Sequence, residues 1–104
     1  MELAFDSRSL RDVCENEDQA RLELGTNVAA ALRHRLADMR AARSPRDLLV
    51  GLPRVVAGGK EMVLDLCDGH RLVFRSNHPL KDSDSADWDK VSRVKILRVE
   101  VNKA

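Results

Sequence analysis

An Asp-Gly pair between two apolar segments is the feature that most constrains what this chain can fold into. Asp68 and Gly69 separate residues 61–67 from residues 70–76, and both segments alternate between two sets of side chains. A two-residue type I′ turn requires positive φ at both central residues, which Asp-Gly adopts readily. The sequence therefore predicts a β-hairpin at this point.

Strand alternation sorts the side chains of this hairpin onto two faces, because successive residues of a strand point in opposite directions. Leu72 and Phe74 share one face with His70, and the apolar residues at 62, 64 and 66 form the matching face of the first strand. We expect that face to join the core. Arg71 and Arg75 then point outward together.

Two helices are expected before the hairpin. Asp6 or Ser7 offers an N-cap for a short first helix in "DSRSLRDVCEN". A longer helix is predicted over residues 17–43, where one apolar stripe recurs at helical spacing. Gly25 lies inside it and is expected to loosen it by about 1 kcal/mol relative to Ala. The stripe consists of Leu24, Val28, Leu32, Leu36 and Met39.

The rest of the chain reads as short strands and loops. Residues 3–5 and 54–56 are strand candidates, Pro45 begins a single helical turn, and residues 91–101 form a long final strand. Its apolar phase shifts near Ile96 and Leu97, which indicates a β-bulge or burial on both sides. The order β-α-α-β-β-β predicts one α+β domain over residues 1–104, a small and mostly antiparallel sheet with two helices packed on one face.

Several classes of function are disfavoured by what the chain lacks. Cys14 and Cys67 have no metal-type spacing and are expected to be separate thiols, and no nucleotide-binding or zinc-binding motif occurs. We therefore expect no metal and no cofactor. No apolar segment reaches the roughly 20 residues of a membrane helix, and Glu2 stands where a secretory signal would be basic. A cytoplasmic location without membrane contact is the expectation.

Charge is unevenly distributed although the net charge is only +1. Residues 1–30 carry −4, residues 31–60 carry +5, residues 61–88 carry −3 and residues 89–104 carry +3. The basic blocks flank the hairpin, so they form either a positive surface beside it or an ordinary mixed, solvated surface.

Trp88 is expected to pin its polar loop to the core rather than to stack on a nucleobase.

Four segments together resemble a known family. They are "MELAFDSRSLRDVCEN", "ALRHRLADMRAARSPRDLL", "LDLCDGHRLVFRSNHP" and "DWDKVSRVKILRVEV". Their order and spacing resemble the RelE/ParE superfamily of bacterial type II toxins, and within it the HigB-like "plasmid maintenance killer" branch. The resemblance implies a RelE/ParE-like fold and a toxin that is neutralised by an antitoxin with a helix-turn-helix domain. Operator DNA would then be contacted only through the antitoxin.

The resemblance also implies an activity. Active members of the RelE and HigB branches cut messenger RNA in the ribosomal A site without a metal, whereas the ParE branch poisons DNA gyrase. The expected function is therefore a ribosome-dependent mRNA endonuclease that inhibits translation. The alternative is a non-nuclease of the same fold, either a gyrase poison or an inactive module that still binds an antitoxin.

Candidate site residues follow from matching this sequence to the family pattern. Arg71 matches the family's arginine on the second hairpin strand and would stabilise the phosphate, with Arg75 as a second clamp. His70 and His78 are the candidates for proton transfer, although His70 lies on the face opposite Arg71 in a regular strand and is otherwise interpreted as a polar residue at the end of the hairpin. RNA-backbone contacts are expected from four further residues, whose other interpretation is charge that protects edge strands from aggregation. They are Lys60, Arg93, Lys95 and Arg98.

This chain departs from the family at the acid/base positions. It contains no tyrosine, and Leu64 and Asp65 stand where RelE-like members place lysines. The residues that the family carries after the last strand are also mostly missing, because "EVNKA" offers only Lys103 near that region.

Overall fold

A computed structural model describes residues 1–77 and 87–101. These residues form three α-helices, one five-stranded sheet and three short 3-10 turns. The α+β class is confirmed. The predicted order β-α-α-β-β-β is wrong in its counts, because there is a third helix and an additional strand. The elements are β1 (Glu2–Phe5), α1 (Arg8–Glu15), α2 (Glu17–Leu24), α3 (Thr26–Ala41), β2 (Arg54–Val56), β3 (Glu61–Asp65), β4 (His70–Ser76) and β5 (Arg93–Val101), with 3-10 turns at Pro45–Asp47, Ala57–Gly59 and Trp88–Lys90.

The strands lie in the order β1-β5-β4-β3-β2. β1 runs parallel to β5, and the other three pairs are antiparallel, so the sheet is mostly antiparallel as predicted. β4 is the central strand, and β1 and β2 are the edges. No helix among the described residues is long and apolar enough to cross a membrane.

The predicted hairpin is confirmed together with its turn type. Asp68 and Gly69 have φ values of 53° and 74°, the double positive φ of a type I′ turn. The His70 N–H donates to the Cys67 carbonyl oxygen at 3.0 Å and so closes the turn. β3 and β4 pair with Leu64 opposite Leu72.

The single helix expected over residues 17–43 is divided at Gly25. Gly25 has φ 85° and ψ 164°, a backbone conformation outside the helical region. Its N–H still donates to the Arg21 carbonyl oxygen at 3.0 Å and closes α2, while its own carbonyl oxygen accepts from Ala29 in the first turn of α3. Glycine adopts this conformation without the steric penalty of a Cβ atom. The expectation that Gly25 merely loosens one helix is wrong.

The core lies on one face of the sheet, under the three helices. The stripe of α3 is buried at Leu32, Leu36 and Met39, as its spacing predicted. The opposing sheet residues are also buried, which confirms the inward position of Leu72 and Phe74. From the sheet, Met62, Leu64, Leu72, Phe74, Val94 and Ile96 belong to this core.

Trp88 closes one side of the core. Its side chain is only 3% exposed and meets the ring of Phe74 edge-on, with ring centroids 6.0 Å apart. The indole Nε1–H donates to the Gly59 carbonyl oxygen at 3.3 Å. The prediction that Trp88 pins its segment to the core is confirmed, and a base-stacking role is excluded by the burial.

A β-bulge accounts for the phase shift in the last strand. Val73 pairs with Arg98 and the next residue, Phe74, pairs with Ile96, so Leu97 has no partner. The extra residue reverses the alternation beyond it. As a result Arg98 faces the same side of the sheet as Lys95, away from the helices.

Candidate nucleic-acid interface

The face of the sheet opposite the helices carries most of the predicted site residues, and we call it the outer face. β4 contributes Arg71 and Arg75 to it. The prediction that both side chains point away from the core on one face is confirmed. The neighbouring strands place further charged residues on this face. Asp65 and Glu100 lie opposite Arg71, and Glu61 and Lys95 lie opposite Arg75. Arg98 lies between them, opposite Val73.

Glu100 binds two arginines of the outer face at once. The Arg71 Nε–H donates to Glu100 Oε1 at 2.6 Å, and the Arg98 Nε–H donates to Glu100 Oε2 at 2.9 Å. Arg98 also reaches Glu61, with 3.3 Å between its terminal nitrogen and Oε1. Four side chains thus form a continuous ion-pair chain in the order Arg71, Glu100, Arg98, Glu61.

The ion-pair chain shifts the pKa values of Glu100 and Arg98. The hydrogen bond from Arg98 is the main cause that lowers the pKa of Glu100 below its ordinary value of 4.5; burial opposes it, and Arg71 adds to it. The same contact raises the pKa of Arg98. Glu100 is therefore ionised at neutral pH, and its carboxylate forms an ion pair with the Arg71 guanidinium in the free protein.

Arg75 stands apart from this chain of contacts. It is exposed, and no hydrogen bond or ion pair reaches its guanidinium from residues 1–77 or 87–101. Its register partners are Glu61, which contacts Arg98 instead, and Lys95, a like charge. Lys95 lies 3.6 Å from an oxygen of Asp6. Within the described part of the chain, Arg75 is consequently an exposed cation of the outer face without a carboxylate partner.

The other residues predicted to contact RNA, Lys60 and Arg93, lie at the ends of the strands that form the outer face. Lys60 is exposed and immediately precedes Glu61 at the beginning of β3. Arg93 lies at the beginning of β5, opposite Glu2 of β1. The site predicted at His78 lies outside the described residues. The structure therefore brings Arg71, Arg75, Lys95 and Arg98 onto one face, with Lys60 and Arg93 towards its margins.

His70 and Asp65 flank the ion-pair chain but bind elsewhere. His70 shares the inward set of β4, and its Nδ1 is 3.0 Å from the Asp68 carbonyl oxygen in the turn. Asp65 is opposite Arg71 in register, but its carboxylate binds Arg54 at 2.9 Å. Neither residue is placed against the ion-pair chain.

Sequence reasoning missed Glu100, the residue that organises this face. A local signal existed, because Arg98 and Glu100 are two apart on a strand and so share a face. The contact with Arg71 depends on which residues of β4 and β5 lie opposite each other, and that register has no local signature. In the described parts of the chain, no group of three or more His, Cys, Asp or Glu side chains is placed to hold a metal ion.

A second exposed surface lies beside the edge strand β2. Leu49 and Leu52 are 87% and 71% exposed, and Val50 and Val55 are exposed as well. Leu52 also has a positive φ of 49°, which is unusual for a leucine. Contiguous exposed apolar side chains are typical of surfaces that contact other proteins.

Comparisons with known proteins identify no relative. No protein-family model matches the chain, and neither a curated protein nor a solved structure matches it significantly.

Proposed function

We propose that this chain is the toxin of a type II toxin–antitoxin system, with a RelE/ParE-like fold of the HigB-like branch, and that it cuts messenger RNA on the ribosome. One observation carries the proposal. Arg71 and Arg75 emerge from the central strand on the face that the helices leave uncovered, beside Arg98 and Lys95 of the next strand. The resemblance of four sequence segments to HigB-like toxins supports the same function.

The reaction requires phosphate binding and proton transfer. The 2′-hydroxyl oxygen of one nucleotide attacks the adjacent phosphorus, and the bond from phosphorus to the 5′-oxygen breaks. A 2′,3′-cyclic phosphate and a free 5′-hydroxyl result, with one proton removed and one returned. Arg71 would stabilise the charge on the phosphate oxygens with Arg75 as a second clamp, because guanidinium groups donate to phosphate in a fork. His78 is the proposed group for proton transfer.

The other cations would hold the substrate in place. Lys60, Arg93, Lys95 and Arg98 are proposed to contact the phosphate backbone of messenger RNA or of the ribosome. Such contacts position a strand without reading its sequence. In this proposal codon position is set by the ribosome, and the protein acts in the cytoplasm.

The proposed antitoxin has two surfaces available to it. An acidic segment over Arg71 and Arg75 would block RNA by occupying its phosphate sites. The exposed apolar residues beside β2 offer a further contact area. The antitoxin's helix-turn-helix domain, rather than this chain, would contact operator DNA.

A second candidate function is favoured by the contacts of Arg71. Because Glu100 already binds its guanidinium at 2.6 Å, and because the chain contains no tyrosine, the arrangement also suits a protein of this fold without nuclease activity. Such a protein would poison gyrase or would only bind an antitoxin.

Induced expression with mapping of mRNA 5′ ends tests the proposal. The wild type is compared with Arg71→Ala and with Arg11→Ala, which removes an arginine of α1 that is paired with Glu15 away from the outer face. We expect growth arrest and in-frame cuts with the wild type and with Arg11→Ala, and loss of the cuts with Arg71→Ala. Arrest without cuts would indicate gyrase or another target. No arrest with any of the three proteins would contradict toxicity.

A further inference from the structure

We propose that Arg71 and Arg98 together form one binding site for a phosphodiester, and that the Glu100 carboxylate occupies this site until RNA displaces it. The site is an addition to the single phosphate contacts described above. Its assignment to RNA depends on the proposed function, whereas its affinity for an oxyanion depends only on the geometry of the outer face.

The donors around Glu100 match the needs of a phosphate. Each carboxylate oxygen accepts from a different arginine Nε–H, at 2.6 Å for Arg71 and 2.9 Å for Arg98. A phosphodiester likewise presents two charged oxygens on one centre, and arginine binds carboxylate and phosphate with the same fork of donors. The two guanidinium groups are thus already arranged around one bidentate anion.

The site is kept in shape by neighbours other than Glu100. Glu61 contacts the terminal nitrogen of Arg98 at 3.3 Å and leaves the Nε–H to Glu100. Asp65 lies opposite Arg71, but its Oδ1 accepts from Arg54 at 2.9 Å and not from Arg71. Both arginines would therefore remain available to the incoming phosphate.

Displacement of Glu100 is sterically simple. Its side chain is 26% exposed, and it is the penultimate residue of β5, where a change of rotamer turns the carboxylate into solvent. Partly exposed ion pairs contribute little net free energy, so a phosphodiester, which has the same charge and is held by further phosphate contacts of its strand, can replace the carboxylate. Arg75 is four residues from Arg71 on β4 and lies roughly 13 Å along the strand, where it can contact a phosphate further along the RNA.

The proposal is tested by measuring how tightly wild type and Glu100→Gln bind labelled single-stranded RNA. Fluorescence anisotropy gives the affinity at several salt concentrations. The matched control is Glu23→Gln, which removes the same charge at an exposed position of α2 and leaves both arginines bound to Glu100. We expect Glu100→Gln to bind about fivefold to tenfold tighter than the wild type, since an ion pair no longer has to break. Its salt dependence should steepen by about 0.7 for each additional phosphate that the variant binds. Glu23→Gln should stay within about twofold of the wild type.

Equally tighter binding by both variants would overturn the proposal, because it would indicate general attraction rather than a site. An unchanged or weaker affinity of Glu100→Gln would overturn it as well. The wild type provides a measurement that does not depend on the folding of any variant. In its NMR spectrum the Nε–H signals of Arg71 and Arg98 should shift when RNA is added, and that of Arg54 should not.

Inorganic pyrophosphate separates this proposal from the proposed function. If wild type and Glu100→Gln bind no RNA, but pyrophosphate shifts the Arg71 and Arg98 signals in Glu100→Gln, the oxyanion site is supported and the RNA function fails. If pyrophosphate leaves those signals unchanged, the site fails. If the wild type cuts mRNA and Glu100→Gln binds RNA no more tightly, the toxin function stands and the site is overturned.

Discussion

Glu100 makes the free energy of unfolding in acid depend on the ion pairs of the outer face. Its carboxylate binds Arg71 and Arg98, and its pKa in the folded chain lies below the ordinary value of 4.5. A carboxyl group of this kind stabilises the fold above its unfolded pKa, and this contribution is lost as the pH falls through the folded pKa. Protonation of one side chain would thus release both arginines.

We expect Glu100→Gln to weaken the pH dependence of stability in acid. Glutamine cannot ionise, so the difference in free energy of unfolding between wild type and variant should be largest at neutral pH and should shrink below about pH 4.5. Urea unfolding from pH 7 to pH 3 measures this difference. Glu23→Gln, at an exposed carboxylate that contacts Gln19, provides the reference for removing a charge elsewhere. A difference that is constant with pH, or that grows in acid, would contradict the prediction.

At the scale of the elements, the sequence predicts whatever rests on local periodicity. The Asp-Gly turn and the alternation in β4 are local patterns, and the structure confirms both. The break at Gly25 was missed because Leu24 and Val28 keep a helical spacing of four across it. The bulge at Leu97 was visible only as a phase shift, since its position depends on how β5 pairs with β4. The contact between Arg71 and Glu100 depends on the same pairing.

Gly25→Ala distinguishes a true break from one continuous helix. A Cβ atom at Gly25 would meet no atom within 4 Å, so any cost comes from the φ of +85°. We expect the free energy of unfolding to fall by about 1 to 3 kcal/mol, the cost of a strained backbone conformation for a residue with a Cβ. Urea unfolding measures it. A stabilised variant would instead indicate that α2 and α3 can join, since alanine favours a helix interior.

For the whole molecule, Trp88 connects parts that are distant in sequence. It packs against Phe74 of the central strand and donates to Gly59 in the turn before β3. The core beneath it includes residues from all three helices. Its environment should therefore persist until the helices and the sheet separate.

We expect Trp88 fluorescence and far-UV circular dichroism to give coincident urea transitions, as for a single cooperative unit. In Trp88→Phe the dichroism transition should move to lower urea, with a free energy of unfolding reduced by about 1 to 2 kcal/mol, from the lost indole hydrogen bond and the smaller side chain. A fluorescence change that precedes the dichroism change would indicate that the segment around Trp88 detaches before the fold unfolds.

The parallel pairing of β1 with β5 limits how early the sheet can form during synthesis. β1 is synthesised before the three helices, whereas its partner β5 begins only at Arg93. Until β5 has been made, β1 has no neighbour in the sheet and one side of β4 is unpaired. Contacts between such distant segments also form late, because a large loop must close first. The nascent chain therefore lacks Arg98 and Glu100, and with them half of the outer-face ion-pair chain, until β5 has been synthesised.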